Sequence, residues 1–385
     1  MEGAILQSTV IKALHFDEVI VPAHDGVINS DGLDKPLHML PSKGAPGWSV
    51  QFDTLPKVIL RLELESGVIG IGEFYRDHSW DVLEIIAHNL IGKDVTKLCL
   101  QALPIALCRE YDGFECAIWD VNAKLLGIPL HRLLGGAVRD KVHVGAWSSH
   151  RHNSEVGIWA RGYQDQGFGC IKFKADLEDD LLGLCREIDQ HAPGMKIILD
   201  PNQRFENLGE AKRIAHLIES VGNVLLLEDP IPRWMLQDFA RLRVMTSIPI
   251  FLHVSLPYVL QGQRPYDAIN ALQHGAVDGF NFNAGLAKFH QLDCIAHTAN
   301  LPSWHGSEID LGILEAMYVH QAAAAPSCTL PSDIFGRMIR QHDLLISPLE
   351  ILPPFVTVPI GTGLGIELDY DAIEKFKTDE KSISD

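Results

Sequence analysis

The chain has 385 residues, of which 46% are apolar and 21% are charged, and its formal net charge is −18 at pH 7. This length is sufficient for one large core and indicates two domains of unequal size. The negative charge argues against nucleic acid and anionic membranes as partners, because both require a cationic face, but a small anionic substrate stays compatible since a bound cation and a few lysines can reverse the local field.

Three features favour a cytoplasmic protein. No stretch approaches the roughly 18 uninterrupted apolar residues of a membrane span. The first ten residues lack a basic start followed by an apolar run, so we expect no signal peptide. The seven cysteines are scattered without CxxC spacing, which is typical of reduced thiols rather than of a disulfide framework or a zinc site.

The N-terminal part predicts a mixture of strands and helices. Residues 24–48 are rich in turn-forming glycine and proline and predict a long loop that could act as a lid. Residues 57–64 and 67–73 alternate in polarity around a Glu-Ser-Gly turn and predict a β-hairpin. A helical region follows at about 80–134 and ends at Gly135-Gly136, whereas the polar tail, about 375–385, is expected to be disordered.

From about residue 142 onward, short apolar runs alternate with amphipathic helical stretches. The runs are 143–148, 170–174, 196–200, 224–228, 248–253, 279–283 and 301–305. A repeated strand–helix unit predicts a parallel sheet. Its regular period favours a closed (β/α)₈ barrel over an open doubly wound sheet, which would be expected to show a GxGxxG or P-loop motif.

The carboxyl ends of these predicted strands carry ionisable and amide side chains. They are Lys172 and Lys174, Asp200 and Asn202, Glu228 and Asp229, and His253. In a (β/α)₈ barrel such side chains converge on one mouth, where active sites lie. Two carboxylates on neighbouring strands supply the hard oxygen ligands that Mg²⁺ prefers.

The two lysines are two residues apart, so in a strand their side chains point the same way. Two neighbouring ammonium groups favour the loss of a proton from one of them, which creates a base. A metal ion, a carboxylate substrate and a lysine base together would allow abstraction of the proton next to the carboxylate.

Several motifs resemble those of one enzyme family. They are Ala117-Ile118-Trp119-Asp120 with Lys124, Pro129-Leu130-His131-Arg132-Leu133-Leu134-Gly135-Gly136, Ile171-Lys172-Phe173-Lys174, Leu199-Asp200-Pro201-Asn202-Gln203, Leu227-Glu228-Asp229-Pro230 and Gly361-Thr362-Gly363-Leu364-Gly365. In this order they are similar to the motifs of the enolase superfamily, in its mandelate racemase and muconate lactonizing branch. The resemblance covers nearly the whole chain.

This resemblance implies an α/β fold with a modified TIM barrel of (β/α)₇β type at residues 141–349. It also implies an α+β capping domain at 1–140 that is completed by residues 350–385. For the site it implies Asp200 and Glu228 as Mg²⁺ ligands, Lys174 as the base, and Lys172 as its electrostatic neighbour at the substrate carboxylate.

The chain departs from the family pattern at the third metal ligand. This ligand is usually a carboxylate five residues after a proline at the start of its strand, and counting from Pro249 gives Val254, which cannot bind a metal. The adjacent His253 is a candidate replacement, although an imidazole suits zinc, iron or nickel better than Mg²⁺. Alternatively, water or the substrate fills this position.

The opposite side of the expected pocket also departs from the family. The sixth strand ends in Asn281 and Asn283, where relatives carry an acidic residue or a lysine. The seventh ends in His305, one place before the usual histidine, and we predict His305 as a general acid. The asparagines, together with Asn202, and the capping-domain residues Tyr75 and Arg76 are predicted to bind substrate, with Arg76 pairing with a distal carboxylate.

These features lead to a ranked set of functional hypotheses. The first is a Mg²⁺-dependent acid-sugar dehydratase, which removes the α-proton of a polyhydroxy carboxylate and eliminates the β-hydroxyl to give a 2-keto-3-deoxy acid. The alternatives are a racemase, epimerase or cycloisomerase of the same superfamily, and a catalytically impaired relative that only binds a ligand. The expected partners are a small carboxylate substrate and further copies of the chain in a homo-oligomer.

Overall fold

A computed structural model describes residues 8–33, 35, 56–76, 78–254 and 264–384. Most of the predicted lid, residue 34 and residues 36–48, lies outside the described residues. The strands are β1 (Ile11–Val19), β2 (Lys57–Leu64), β3 (Ile69–Glu73), β4 (Lys141–His143), β5 (Ala146–Ser148), β6 (Cys170–Lys174), β7 (Lys196–Asp200), β8 (Val224–Glu228), β9 (Ile250–Val254), β10 (Gly279–Phe282), β11 (Ser303–His305), β12 (Ile351–Leu352), β13 (Phe355–Thr357) and β14 (Lys377–Ser384). The α-helices are α1 (Trp80–Leu90), α2 (Tyr111–Leu126), α3 (Asn153–Asp165), α4 (Leu181–His191), α5 (Leu208–Glu219), α6 (Leu236–Arg243), α7 (Arg264–Gln273), α8 (Leu286–Thr298), α9 (Gly312–Ala324) and α10 (Tyr370–Phe376).

An antiparallel sheet forms the N-terminal part, with strand order β14-β1-β2-β3. The predicted hairpin is present as β2 and β3, and Gly67 turns between them with a φ of +82°, a conformation that favours glycine. The expectation of a disordered tail is wrong, because β14 pairs with β1 along the edge of this sheet. Its charged residues are typical of an exposed edge strand, which is why composition alone suggested disorder.

Helix α2 joins this sheet to the rest of the molecule, and thirteen of its residues are buried. It packs directly on β3, where a Cβ at Gly72 would stand 2.2 Å from the carbonyl oxygen of Gly113. Only a residue without a side chain allows this close approach of strand and helix. The helix ends at Gly127, which has a φ of +68° and closes the last turn.

Seven parallel strands form the second sheet, in the sequential order β5 to β11. Each lies within or overlaps one of the predicted apolar runs, and a helix, α3 to α9, follows each strand. The predicted parallel strand–helix architecture is therefore confirmed.

Residues 328–333 close this sheet into a barrel. Cys328 forms a parallel bridge with Ser303 of β11, and Ser332 forms another with Val144, just before β5. The amide of Ser332 also donates to the carbonyl oxygen of His143 at 2.8 Å. Seven strand–helix units, closed by the bridges of residues 328–333, give the (β/α)₇β type of barrel, which rules out the open-sheet alternative.

The remaining elements lie outside the barrel wall. Strands β12 and β13 form a small antiparallel sheet with β4, and α10 leads into β14. Within the ranges described above, none of the helices has the length and apolar character needed to cross a membrane.

Candidate active site

Side chains that point into the barrel are arranged in layers. One apolar layer contains Cys170, Ile198, Leu226, Phe251 and Trp304, each from a different strand. Because strand side chains alternate with a period of two, the residues two positions later face the same interior. On β6 to β9 these are Lys172, Asp200, Glu228 and His253, so the structure places four predicted site residues together in the layer at the carboxyl end.

Lys172 lies at the centre of this layer. Its ammonium nitrogen is 2.6 Å from Glu228 Oε2 and 2.8 Å from Asp333 Oδ2. The carboxylate of Asp200 is 3.5 Å away. Burial alone would lower the pKa of Lys172, but these three carboxylates together raise it well above its ordinary value. Lys172 is therefore a fixed positive charge, as expected of an electrostatic partner for a substrate carboxylate.

Lys174 contacts a different set of groups. It donates to Asp200 Oδ2 and to Asn202 Oδ1, both at 2.6 Å. Asn202 has a φ of +46°, and its amide donates to Asp200 Oδ1 at 3.0 Å. Asparagine tolerates this left-handed backbone, so the Asp-Pro-Asn turn directs both side chains towards Lys174.

Glu228 connects this lysine cluster to β9 and β10, which are the fifth and sixth strands of the barrel. Its Oε1 accepts from Asn281 Nδ2 at 2.8 Å and lies 3.1 Å from His253 Nδ1. Although burial opposes it, Lys172 and His253 hold the pKa of Glu228 well below its ordinary value, so Glu228 is a carboxylate. Burial lowers the pKa of His253 to about 4, which leaves the neutral imidazole that metals bind.

His253, and not Val254, faces the mouth at the third-ligand position. Val254 belongs to the apolar core between the sheet and the surrounding helices. Asp229 fixes the end of the fifth strand, because its Oδ1 accepts from the His253 amide at 2.8 Å. Asp229 is also held by Arg233 Nε at 2.6 Å, and burial raises its pKa to about 6.

The prediction of His305 as a general acid is corrected by the structure. Its neighbour Trp304 points into the barrel, so the His305 side chain points outward by strand alternation. The imidazole is stacked between Phe289 and Tyr318, with ring centroids 4.5 and 4.0 Å away. Its Nδ1 donates to the Gly306 carbonyl oxygen at 2.6 Å. The residue that faces the mouth at the end of β11, the seventh barrel strand, is Gly306, directly after His305.

The predicted role of Arg76 at a distal substrate carboxylate is also corrected. Arg76 is buried, and its guanidinium group binds Glu308. Nη1 donates to the carbonyl oxygen of Glu308 at 2.8 Å, and Nη2 lies 2.9 Å from the Glu308 carboxylate. Tyr75 does reach the sixth strand, because its hydroxyl lies 2.9 Å from Asn283 Oδ1. The same hydroxyl lies 3.1 Å from Asp112 of α2, so Tyr75 connects Asp112 of the N-terminal part with Asn283 of the barrel.

Asp333 is a site residue that the sequence did not reveal. It is the last residue of the closing segment 328–333, and its amide donates to the carbonyl oxygen of His305 at 2.8 Å. Burial raises the pKa of Asp333 to about 6, although Lys172 opposes this effect. The sequence signal is weak, because residues 328–333 contain none of the Val- and Ile-rich character that marked the other strands.

A second acidic cluster lies at the ends of the first two barrel strands. His150, Asp176 and Asp179 place possible ligand atoms within 4.8 Å of one another. Lys35 contacts both carboxylates, at 3.0 Å for Asp176, and Arg204 contacts Asp176. These two cations balance the two carboxylates, so the cluster does not require a metal ion.

Two family profiles match the chain. Residues 155–372 match the enolase C-terminal domain-like profile, and residues 48–135 match the N-terminal domain profile of mandelate racemase and muconate lactonizing enzyme. The chain belongs to the mandelate racemase/muconate lactonizing enzyme branch of the enolase superfamily.

Relatives from this branch match over most of their length. Muconate cycloisomerase 1 of Rhodococcus opacus is 29% identical over 372 residues, covering 89% of this chain and 95% of the relative. The Streptomyces coelicolor protein named "Probable glucarate dehydratase" is 25% identical and covers 94% and 90%, respectively. The structure of a dipeptide epimerase from Cytophaga hutchinsonii, complexed with Mg and a dipeptide, has a TM-score of 0.78 at 20% identity, covering 97% of this chain and all of that one.

The superfamily site implies a divalent cation, and the residues of this chain fit one. Asp200 and Glu228 offer carboxylate oxygens, and His253 offers a neutral imidazole. The buried atoms His253 Nε2 and Asn281 Oδ1 have no hydrogen-bond partner among the described residues. Unsatisfied buried acceptors beside carboxylates are the surroundings that a cation stabilises.

Proposed function

We propose that this protein abstracts the α-proton of a carboxylate substrate with Lys174 as the base. The observation that carries this proposal is the convergence of Lys172 and Lys174 with Asp200 and Glu228 in one buried cluster at the barrel mouth. The relatives are enzymes whose names describe cycloisomerisation and dehydration, which supports an enzymatic role.

Lys172 and Lys174 have different roles in this mechanism. Lys172 keeps its proton and binds the substrate carboxylate as a fixed positive charge. Asp200, Glu228 and His253 would hold the divalent cation, Mg²⁺ in the family resemblance, which stabilises the enediolate that forms. Lys174 must be neutral to accept the α-proton, so its ion pair with Asp200 has to be released first.

The opposite wall of the mouth favours one-base chemistry. The carboxyl ends of β10 and β11 present Asn281, Asn283 and Gly306 there. None of these residues can accept a proton at neutral pH. A racemase that uses two opposed bases therefore fits less well than a reaction in which Lys174 is the single base.

The reaction proposed first is dehydration of an acid sugar to a 2-keto-3-deoxy acid. Such a reaction requires an acid that protonates the leaving β-hydroxyl, and Asp333 replaces His305 as the candidate. Asp333 lies at the rim of the cluster, 2.8 Å from Lys172, and a carboxyl group with a pKa of about 6 is partly protonated near neutral pH.

A panel of sugar acids tests this proposal. The full chain is incubated with each acid and a divalent metal, and 2-keto products are detected as semicarbazones. The same reactions in D₂O report α-proton exchange by NMR, and chelator-treated protein is the control. We expect a 2-keto product from at least one acid; exchange without product would exclude dehydration but retain proton abstraction, and the absence of both would favour a role in ligand binding alone.

A cycloisomerase is the second candidate, favoured by the 29% identity to muconate cycloisomerase over most of both chains. Loss of the conjugated-diene absorbance of cis,cis-muconate measures this activity directly. The cytoplasmic location and the homo-oligomer stay predictions, and light scattering of the purified chain would measure its oligomeric state.

A further inference from the structure

A cavity lies along one face of helix α3. Its volume is about 580 Å³, within the range of roughly 300–1,000 Å³ that small-molecule sites occupy. The α3 residues that line it, between Glu155 and Gln166, recur three or four positions apart and so share one face of the helix. Gly26 and Asp31, from the segment that leads into the predicted lid, line it as well. None of the residues assigned to the proposed reaction lines this cavity, so it is independent of the proposed function.

Arg151 supplies a fixed positive charge to the cavity. Its Nε donates to Ser148 Oγ at 2.8 Å, and its Nη2 donates to the carbonyl oxygens of Gly26 and Val27 at 2.6 and 2.7 Å. The guanidinium carbon lies 3.5 Å from the centre of the Trp159 ring. Burial lowers the pKa of Arg151 only to about 10, so the group stays charged at neutral pH. Nη1 forms no hydrogen bond with the described residues and is therefore the donor that remains for a ligand.

Two carboxylates line the same cavity without direct contact to Arg151. Asp31 and Glu155 are both exposed, and both oppose the effect of burial on the pKa of Arg151. In the part of the chain that the structure describes, neither forms an ion pair with Arg151. Ser30 Oγ donates to one oxygen of Glu155, which leaves its second oxygen for another donor. The cavity therefore offers a cationic donor and anionic acceptors at separate points.

Apolar and aromatic groups form the remaining surface of the cavity. Trp159 and Tyr163 are in edge-to-face contact, with ring centroids 5.9 Å apart. The adjacent Ile158 is 68% exposed, so a ligand that covers it would remove apolar surface from water. Burial raises the pKa of the Tyr163 hydroxyl, which therefore stays protonated and can donate a hydrogen bond.

From this arrangement we infer that the cavity binds a free α-amino acid with an apolar or aromatic side chain. The ligand carboxylate accepts from Arg151 Nη1, and the ligand ammonium group donates to Asp31 or Glu155. The ligand side chain covers Ile158 and the aromatic edges. A ligand with only a carboxylate would lie beside two unpaired acids, and a ligand with only an ammonium group would lie beside an unpaired guanidinium. An uncharged apolar ligand would take all three charges out of water without a partner.

Isothermal titration calorimetry of the chelator-treated full chain tests the inference. The probes are L-phenylalanine, L-leucine and three analogues of phenylalanine that each lack one feature. 3-Phenylpropionate has no ammonium group, phenethylamine has no carboxylate, and glycine has no side chain. We expect L-phenylalanine or L-leucine to bind, and each analogue to bind about tenfold more weakly or worse, because each loses a charge-assisted hydrogen bond or the burial of an apolar side chain.

Two variants locate the bound amino acid. Ile158→Glu should weaken binding about tenfold or more, because it replaces the apolar surface by a charge. The matched control is Ile85→Glu, the same exchange at an isoleucine of α1 that is 62% exposed, and it should keep the wild-type affinity. The double variant Asp31→Asn with Glu155→Gln removes both partners of the ammonium group, so phenylalanine should then bind no more tightly than 3-phenylpropionate.

The absence of binding by both amino acids overturns the inference. Equal affinities for phenylalanine and either singly charged analogue also overturn it, because recognition would then not require both charges. Equal affinities of Ile158→Glu and Ile85→Glu place the ligand elsewhere and overturn it too. Each of these results leaves the proposed function intact, because α-proton exchange at the barrel mouth is measured separately.

Discussion

At the scale of single residues, the two lysines of β6 differ in how firmly their ammonium groups are held. Lys172 lies among three carboxylates, at 2.6 to 3.5 Å. Among the described residues, Lys174 donates to one carboxylate and one amide oxygen. Removing the proton from Lys172 would leave three buried carboxylates near one another without a counter-charge, which is why we propose Lys174, and not Lys172, as the base.

Lys174→Met tests this assignment, because methionine keeps the length of the side chain but has no amine. We expect α-proton exchange of the substrate in D₂O to fall by a factor on the order of 10³, within the usual range for removal of a general base. Proton NMR of the substrate measures the exchange rate. The matched control is Lys196→Met, at the exposed amino end of the neighbouring strand β7, and it should exchange at the wild-type rate. Equal exchange in Lys174→Met and the wild type would exclude Lys174 as the base.

The sequence predicted those site residues whose strand register could be derived from an internal pattern. Lys172 and Lys174 are two residues apart, which indicates that their side chains lie on the same face of the strand. In the structure both side chains lie at the barrel mouth. His305 had no such partner on its strand, so its direction could not be decided until Trp304 was seen inside the barrel. Asp333 was missed because the closing segment 328–333 is recognised only by its bridges to β11 and to Val144.

At the scale of elements, the N-terminal sheet contacts the barrel domain through the amino end of helix α9. Glu73, the last residue of β3, accepts from the amides of Leu311 and Leu314 at 2.8 and 3.0 Å. These amides belong to the first turn of α9, where the backbone has unpaired donors. Lys57 of β2 lies 2.6 Å from the same carboxylate. A side chain of one domain therefore caps a helix of the other.

Glu73→Gln should weaken this connection, because the amide group offers only one acceptor for two donors and loses the charge that attracts Lys57. We expect the free energy of unfolding to fall by about 2 kcal/mol, as for the loss of a charge-assisted buried hydrogen bond. Urea denaturation monitored by circular dichroism measures it. Glu63→Gln on the adjacent strand removes only surface ion pairs and should change stability by about 0.5 kcal/mol or less. Equal losses in both variants would contradict the capping role.

Elements of regular period were predictable, and those defined by long-range pairing were not. The runs 170–174, 196–200 and 224–228 coincide with β6, β7 and β8 because buried parallel strands have a continuous apolar signature. Strand β14 has a polar sequence, and its only structural signal is the pairing with β1, more than 350 residues earlier. No local pattern encodes such a contact.

At the scale of the whole molecule, buried ionisable groups limit the pH range of stability from both sides. Burial raises the pKa of Glu115 and of Glu315 to about 8. Burial lowers the pKa of His320 to about 4, and the neutral ring donates from Nε2 to the carbonyl oxygen of Leu364 at 3.1 Å. The stability contributed by neutral His320 is complete above pH 6.5 and is lost as the pH falls towards 4. For Glu115 and Glu315 the pH dependence of stability has the opposite sign, because folding favours their protonated form.

Glu115→Gln isolates the alkaline side of this balance. Glu115 of α2 accepts from the Ala287 amide of α8 at 3.0 Å, and its other oxygen lies beside Asp112, so the buried carboxyl group is stable when it carries a proton. Its stability contribution is complete below the unfolded pKa of 4.5 and is lost as the pH rises through 8. At 1.36 kcal/mol per pH unit, this loss is about 5 kcal/mol.

Glutamine imitates the protonated acid, since its NH₂ group can donate to Asp112 at every pH. We therefore expect Glu115→Gln and the wild type to have similar stability at pH 5, and the variant to be more stable by several kcal/mol at pH 9. Urea denaturation across this range measures the difference in the free energy of unfolding between the two proteins. The other buried groups titrate in both proteins, so their contributions cancel in this difference. Glu374→Gln, at an exposed position of α10, should follow the wild-type curve. Parallel curves for Glu115→Gln and the wild type would show that Glu115 is already ionised in the folded protein at pH 5.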